Sequence, residues 1–385
     1  MFGHTQKLCV GQLTVVLLNG DTHVFGKKGS DLAATLTIRN NGFWVRLLFL
    51  GTMGMGEGYM LGDIDVDRID LLLKILIFNR HLIEDSAQPY PASLNRFFNT
   101  TLAPHIPNSI YNSRSNISLH YDLGNDMFAS FLDPTMTYSC PIWASKEGGT
   151  DPLLKEDTLE KAQIRKIHHL LDLACIREGD HQILAQDRIR DANLSDHITV
   201  LLCDYRKLDE AKYSFDRIIS VEMIEAVGPE FLSTYFEKCD KLLKPQGVMA
   251  IQVITMPEAR YKTYSESIDF IRKHIFPGGH CPSLTALTEA VHQGTSGRLM
   301  VDTVENIGPH YAKALRLWRE RFIAHFDQVV ARCKGNTGMY DQVFLRKWEY
   351  YFAYCEAGFA SRTLGTLQIR LTRPANMDLI QGIPF

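Results

Sequence analysis

"REGDHQILAQDRIRDANL", residues 177–194, decides how the chain is read. An amphipathic segment precedes it. "HITVLLCDY", residues 197–205, follows as an apolar run that ends in an acid. In an open α/β domain that binds a nucleotide-like cofactor, a strand and a glycine-rich turn stand at such a place. Tight backbone and a helix N-terminus are what receive a phosphate or carboxylate. Here the chain passes from Asp180 straight into helical periodicity. The flanks predict an α/β sheet, and the junction raises the question whether a nucleotide-type site can form without that turn.

The flanks carry the pattern on both sides. "EDTLEKAQIRKIHHLLDLACI", residues 156–176, reads as a helix with Leu159, Ala162, Ile167, Leu170 and Leu171 as its apolar stripe. "HQILAQDRIRDANL" reads as a second helix and "HITVLLCDY" as a strand. "FDRIISVEMIEAVG", residues 215–228, is a strand and loop, and "FLSTYFEKCDKLL" is a helix closed by "KPQG". The strands "VMAIQVITM", "RLMVDTVENIG" and "TLQIRLTRP" follow, separated by helices, the last of them rich in aromatics. Helices alternating with buried strands predict an α/β fold.

Residues 1 to about 65 read as strand-like. β-branched residues flank Asn19-Gly20 in "GQLTVVLLNGDTHVFG", a hairpin signal. "DLAATLTIRNNGFWVRLLFLG" continues the pattern, and "MGMGEGYMLGDIDV" reads as loops or short helices. "RIDLLLKILIFNRHLI" is an apolar helix that must pack on something. The expected organisation is a small domain over residues 1–84, β-rich then helical. A Ser-, Asn- and Pro-rich linker over 85–118 and a larger α/β domain over 119–385 complete it.

With 385 residues, 45% apolar and 22% charged, the chain can bury a substantial core. Its net charge of −3 excludes a general pull toward nucleic acid. Eight cysteines are scattered with no CxxC pair, so no zinc ribbon or redox motif is expected and no metal site is predicted. They read as reduced thiols of a cytoplasmic protein. No run of about 18 apolar residues predicts a membrane span.

Three stretches hold the polar groups that chemistry needs. "HYDLGNDMFASFLDPTMTYSC", residues 120–140, crowds His120, Tyr121, Asp122, Asn125 and Asp126 ahead of Tyr138-Ser139-Cys140. A capped helix followed by a buried cysteine explains the same residues. Asp204 and Tyr205 close an apolar strand, where ligands of open sheets lie, although a solvated loop acid is the plainer reading. Glu222 and Glu225 sit at the next strand's carboxyl end. They are either a carboxylate pair for base chemistry or, in part, a helix cap. The late stripe Phe344, Trp348, Tyr351, Phe352, Cys355 and Phe359 is core first.

Taken in order, "HYDLGND", "FLDPTMTYSC", "DRIISVEM", "FEKCDKLLKPQG", "DFIRKHIFPGG", "ENIGPHYAKALRLWRERF" and "RKWEYYFAYCEAGF" resemble the cyclopropane-fatty-acyl-phospholipid synthase and mycolic-acid cyclopropane synthase family, over residues 120–375. "FWVRLLFLGTMGMGEGYMLGDIDV" looks like the small N-terminal domain of its longer members. The resemblance implies a Rossmann-like methyltransferase sheet, S-adenosyl-L-methionine as cofactor, and methylene addition across a double bond of an unsaturated phospholipid acyl chain. It implies peripheral contact with the membrane, no nucleic-acid partner, and room for a homo-oligomer. Carried over by position, Tyr138, Ser139, Gln182, Asp204 and Tyr205 fall on the cofactor side. Cys140, Glu225, Gln252, Ile254 and Tyr311 fall where the family holds a bicarbonate that serves as base. A non-catalytic lipid- or partner-binding relative, or a methyltransferase for another substrate, are the competing readings.

Three departures stand out. Relatives place a strand, a "GCGWGG"-like turn, a helix and a second strand between "GD" and the glutamine matched by Gln182. This chain has only His181 there, so a piece of roughly 30 residues is absent in one block. Ala226 stands where relatives have histidine, and Gln252 stands where some bacterial relatives do. The first departure predicts a sheet open at its centre, weak cofactor binding and low stability. Only re-pairing of "HITVLLCDY" with "FDRIISV" would close the gap.

Overall fold

A computed structural model describes residues 8–81, 125–144, 157–176, 193–201, 203–332 and 340–380. Strands β1 (Gln12–Val16), β2 (Thr22–Gly26), β3 (Ala33–Ile38) and β4 (Ile64–Val66) form a sheet in the order β2-β1-β3-β4. The hairpin turns at Asn19-Gly20, where Gly20 has φ of 89°, a conformation open to glycine at no steric cost. After β3 the strand pattern does not continue. Residues 42–50, expected as strand, form helix α1 (Gly42–Leu50), and the glycine-dense stretch expected as loops or short helices begins with helix α2 (Thr52–Met60).

The glycines of "MGMGEGYM" explain that correction. A Cβ on Gly54 would stand 2.2 Å from the Arg46 carbonyl oxygen, and one on Gly58 would meet the Phe43 ring at 2.7 Å. The glycines are there because α1 and α2 pack backbone to backbone, which outweighs glycine's low helix propensity. Helix α3 (Ile69–Phe78) completes this part, burying Ile69, Leu72, Leu73 and Ile75.

Three further helices enclose the largest core. They are α4 (Asn125–Phe131), α10 (Tyr311–Arg332) and α11 (Gln342–Ala360). Phe131 lies 6.1 Å from Trp318, 6.3 Å from Trp348 and 5.2 Å from Phe352, ring centre to ring centre. The late aromatic stripe is core, as its spacing indicates. The same cluster extends into the N-terminal sheet, through Val15, Phe25, Leu36 and Phe43. Ions cross there too. Glu356, fully buried on α11, receives Lys74 at 3.2 Å and Arg316 at 2.8 Å, with Arg319 at 3.7 Å.

The second sheet runs β5 (Phe215–Val221), β6 (Leu243–Thr255), β8 (Gly365–Thr372) and β7 (Met300–Asn306), in that spatial order. β5 is parallel to β6, and β8 is antiparallel to both β6 and β7. Helices α6 (Leu232–Leu242) and α9 (Leu284–Thr295) cover one face, building a second core from Phe236, Met249, Ile251, Leu287 and Leu371. Helix α5 (Leu159–Leu173) is capped by Thr158, whose hydroxyl accepts from the Lys161 N–H. Short helices α7 (Glu258–Ser265) and α8 (Phe270–His274) lie between β6 and α9.

The sheet is α/β and Rossmann-like, and it stops where the sequence says it is cut. β5 has no second neighbour among the described residues. The strand expected at "HITVLLCDY" is not formed. Residues 198–201 are irregular, and Val200 and Leu201 are exposed. A parallel strand is stable when laddered and covered on both sides. Among the described residues this apolar run has no strand to pair with, and β5 is an edge that exposes Ile219. The helix expected at residues 181–194 lies almost wholly outside the described residues.

Candidate active site

The carboxyl end of β5 turns sharply. Glu222, the first residue past the strand, has φ of 48°, a left-handed conformation that costs a non-glycine residue about 1 kcal/mol or more. The turn is held by what the side chain meets. Glu222 Oε1 accepts from the Cys140 backbone N–H at 2.9 Å and from Gln252 Nε2 at 2.8 Å. Its Oε2 accepts from the Tyr311 hydroxyl at 2.8 Å. Three elements converge on one carboxylate: the segment after α4, the middle of β6, and the first residue of α10.

Burial pushes the Glu222 carboxyl above its ordinary range, against the pull of Cys140, Gln252, Tyr311 and the Lys166 ammonium. Lys166 is itself buried, donating to Ser139 Oγ at 2.9 Å. Burial draws its pKa down while Glu222 holds it up. Glu225, one short turn further on, accepts from the Ile254 N–H at 2.5 Å, while its other oxygen is buried with no partner. Burial, then the charge of Glu222, raises Glu225 to about 8. Two carboxyl groups so placed do not both ionise at neutral pH. The three donors on Glu222 favour its ionised form, and the second oxygen of Glu225 has no such donor among the described residues.

Cys140 is a site wall. Its buried thiol faces the Pro141 and Ile307 carbonyls at 3.5 Å, and burial pushes its pKa well up, which keeps it a neutral thiol. Tyr138 shares a hydrogen bond with Tyr351 at 2.7 Å between hydroxyls. Gln163 Nε2 donates to the Ser139 carbonyl at 2.8 Å. Tyr311 stacks on Phe359, centroids 4.6 Å apart.

Of the residues the sequence singled out, Tyr138, Ser139, Cys140, Glu225, Gln252, Ile254 and Tyr311 meet around Glu222. Asp204 and Tyr205 do not. Asp204 is spent on Arg206 in a two-pronged pair, 2.7 Å at its shortest, and caps the turn by accepting from the Arg206 N–H. Tyr205 packs edge-on against Tyr235 at 5.3 Å, in the second core. Gln182 lies outside the described residues. The stripe on α5 also differs: Gln163 and Lys166 are buried, and Ile167 and Leu171 are only half-buried.

The fit of the two implied small molecules follows from these contacts. The donors that would grip a bicarbonate, Cys140 N–H, Gln252 and Tyr311, are all occupied by Glu222, so this arrangement does not fit a separate anion. On the cofactor side, the described residues offer no glycine-rich turn beside β5, and Asp204 is already paired. They do not make a cradle for S-adenosyl-L-methionine.

Among known proteins, the family model for mycolic acid cyclopropane synthetase matches residues 109–184 and 180–369, two segments that meet at the junction. A tuberculostearic acid methyltransferase of Mycobacterium tuberculosis is 37% identical over 355 residues, 84% of this chain and 79% of its own length. The cyclopropane-fatty-acyl-phospholipid synthase of Escherichia coli K12 is 30% identical, covering 88% of each. The mycolic acid cyclopropane synthase CmaA1, solved with SAH and CTAB, superposes with a TM-score of 0.54 at 26% identity, over 67% of this chain and 98% of its own. Coclaurine N-methyltransferase, at 13% identity and TM-score 0.56, shares the fold.

Proposed function

Because the chain belongs to the mycolic acid cyclopropane synthetase family, whose members are S-adenosylmethionine-dependent lipid methyltransferases, we propose that its Glu222 site is the lipid-facing, proton-accepting half of such an enzyme. The acceptor in this reading is an unsaturated acyl chain of a phospholipid, taken from the membrane surface by peripheral contact. None of the described helices is long and apolar enough to cross a membrane. The observation that carries the reading is the convergence of Cys140 N–H, Gln252 and Tyr311 on Glu222.

The chemistry asks two things of the protein. An alkene that has gained a methyl group is a carbocation, which needs π faces and the exclusion of water. Tyr311, Tyr138 and Tyr351 supply rings beside the hub. The cation must then lose a proton, and Glu222 is the charged group held in place to take it. Glu225, neutral beside it, keeps the pair at a single negative charge. We read the reaction as methylene addition of the cyclopropane synthase type, the proton leaving the added methyl group.

The described residues form no cofactor cradle, so the reading separates binding from turnover. Unsaturated acyl chains brominated at the double bond quench nearby tryptophan, and Trp318 packs 5.8 Å from Tyr311. Vesicles of brominated phospholipid are expected to quench the protein's fluorescence saturably. Labelled methyl donor with unbrominated vesicles is expected to label lipid slowly or not at all. Absence of saturable quenching sinks the acyl-chain reading. Labelling of a non-lipid acceptor supports the competing methyltransferase reading.

A further inference from the structure

Gln252 can hold Glu222 only with its NH2 turned inward, and a glutamine amide is symmetric enough in shape to sit either way round. Something must choose. Its Oε1 accepts from Gln368 Nε2 at 2.8 Å. The two glutamines stand directly opposite each other on β6 and β8, and neither is exposed. Gln368 has the same ambiguity, and its Oε1 faces His169 Nδ1 at 2.6 Å. His169, on α5, is part-exposed, and its Nε2 lies 3.1 Å from Glu305 Oε2, on the more open rim of β7.

We propose that Gln368 and His169 are positioning residues that set the orientation of the Gln252 amide and so keep a donor on Glu222. Every link points inward. With its proton on Nδ1, the nitrogen that faces the Gln368 carbonyl oxygen, His169 donates to Gln368, Gln368 donates to Gln252, and Gln252 donates to Glu222 and to the Cys140 carbonyl. Reversing any link turns the Gln252 carbonyl oxygen toward the Glu222 carboxylate, a repulsion that burial strengthens. Glu305 Oε2, which can only accept, stands at the outer end of the relay beside His169 Nε2.

The inference rests on Glu222 as the charged group of the site, and its test does not need turnover. The protonation of Glu222 is followed by its infrared carbonyl band, identified as the band lost in Glu222→Gln, across a pH series on the full chain. Lys166, Glu225, Cys140 and Tyr311, the other groups facing Glu222, are unchanged in all variants. Gln368→Leu and His169→Leu are expected to raise the Glu222 midpoint by about one pH unit, since a donor to the ionised form is lost. His169→Gln, which still donates to Gln368, is expected to restore the original midpoint. If Gln368→Leu fails to fold, the part-exposed His169 pair carries the comparison alone. An unchanged midpoint in the Leu variants, or the same shift in His169→Gln, overturns the proposal. A shift with rescue, but with no effect of Glu222→Gln on methyl transfer in a chain that turns over, leaves the positioning intact and refutes the proton-acceptor reading instead.

Discussion

Glu222 and β5 are neighbours in the chain, yet the two sides of that strand differ completely. Past its carboxyl end, three donors, a buried lysine and a second carboxyl group close around Glu222, backed by an aromatic core that runs into the N-terminal sheet. Along its outer edge, β5 meets no other described strand, and Ile219, Val200 and Leu201 are exposed. A fold of this kind can lose one block and keep the rest. The Glu222 cluster is assembled from α4, α10, α11 and β6, all of which are formed without a further strand beside β5 among the described residues.

This contrast predicts where the molecule is fragile. The largest effect is expected at Glu356. Glu356→Ala leaves Lys74, Arg316 and Arg319 facing an empty buried position, at a cost of roughly 3–5 kcal/mol. Urea unfolding reads it directly, and a loss below about 1 kcal/mol would mean the N-terminal part is not anchored there. Gly54→Ala comes next. Its methyl group would press on the Arg46 carbonyl, parting α1 from α2 at a cost of about 1–3 kcal/mol.

A pH effect follows from Glu225. Its folded pKa of about 8 lies above the ordinary 4.5, so the folded chain keeps a proton that the unfolded chain has given up. Its contribution to stability is full below about pH 4.5 and is lost as pH rises toward 8. Glu225→Gln is expected to flatten the fall in stability between these limits, and an unchanged pH profile in thermal melts contradicts the assignment. The smallest effect is expected on the open side. Ile219→Lys should change stability by less than about 0.5 kcal/mol while reducing self-association through the edge. Light scattering during concentration measures the second part.

What the sequence made legible follows the same divide. The hairpin at Asn19-Gly20, the strands of the second sheet and the aromatic stripe are all local patterns, and all are present. The block absent at Asp180 showed in the spacing of motifs alone. "HITVLLCDY" was misread because its period is that of a strand, and a strand exists only with a partner to ladder on. Helix α1 was misread because its apolar run continued the strand pattern before it, and in the glycine-dense stretch, open to loops or short helices, close packing on α1 decides for helix α2. In the site, Glu222 was visible as one of a carboxylate pair, but its central place depends on three segments far apart in sequence. Gln252, Gln368 and Lys166 had a signal, since each is a polar residue at a buried position of an apolar strand or stripe. Asp204 was placed on the cofactor side by position, and in the structure its carboxylate pairs with Arg206 two residues on.

The central proposal is that the Glu222 site receives lipid while the described residues form no cradle for S-adenosyl-L-methionine. Isothermal titration of the full chain with S-adenosyl-L-methionine, alongside the brominated-lipid quenching, tests it most directly. The account predicts saturable lipid quenching and no saturation by S-adenosyl-L-methionine up to about 1 mM, an affinity no better than about −4 kcal/mol. A micromolar dissociation constant for S-adenosyl-L-methionine would contradict it.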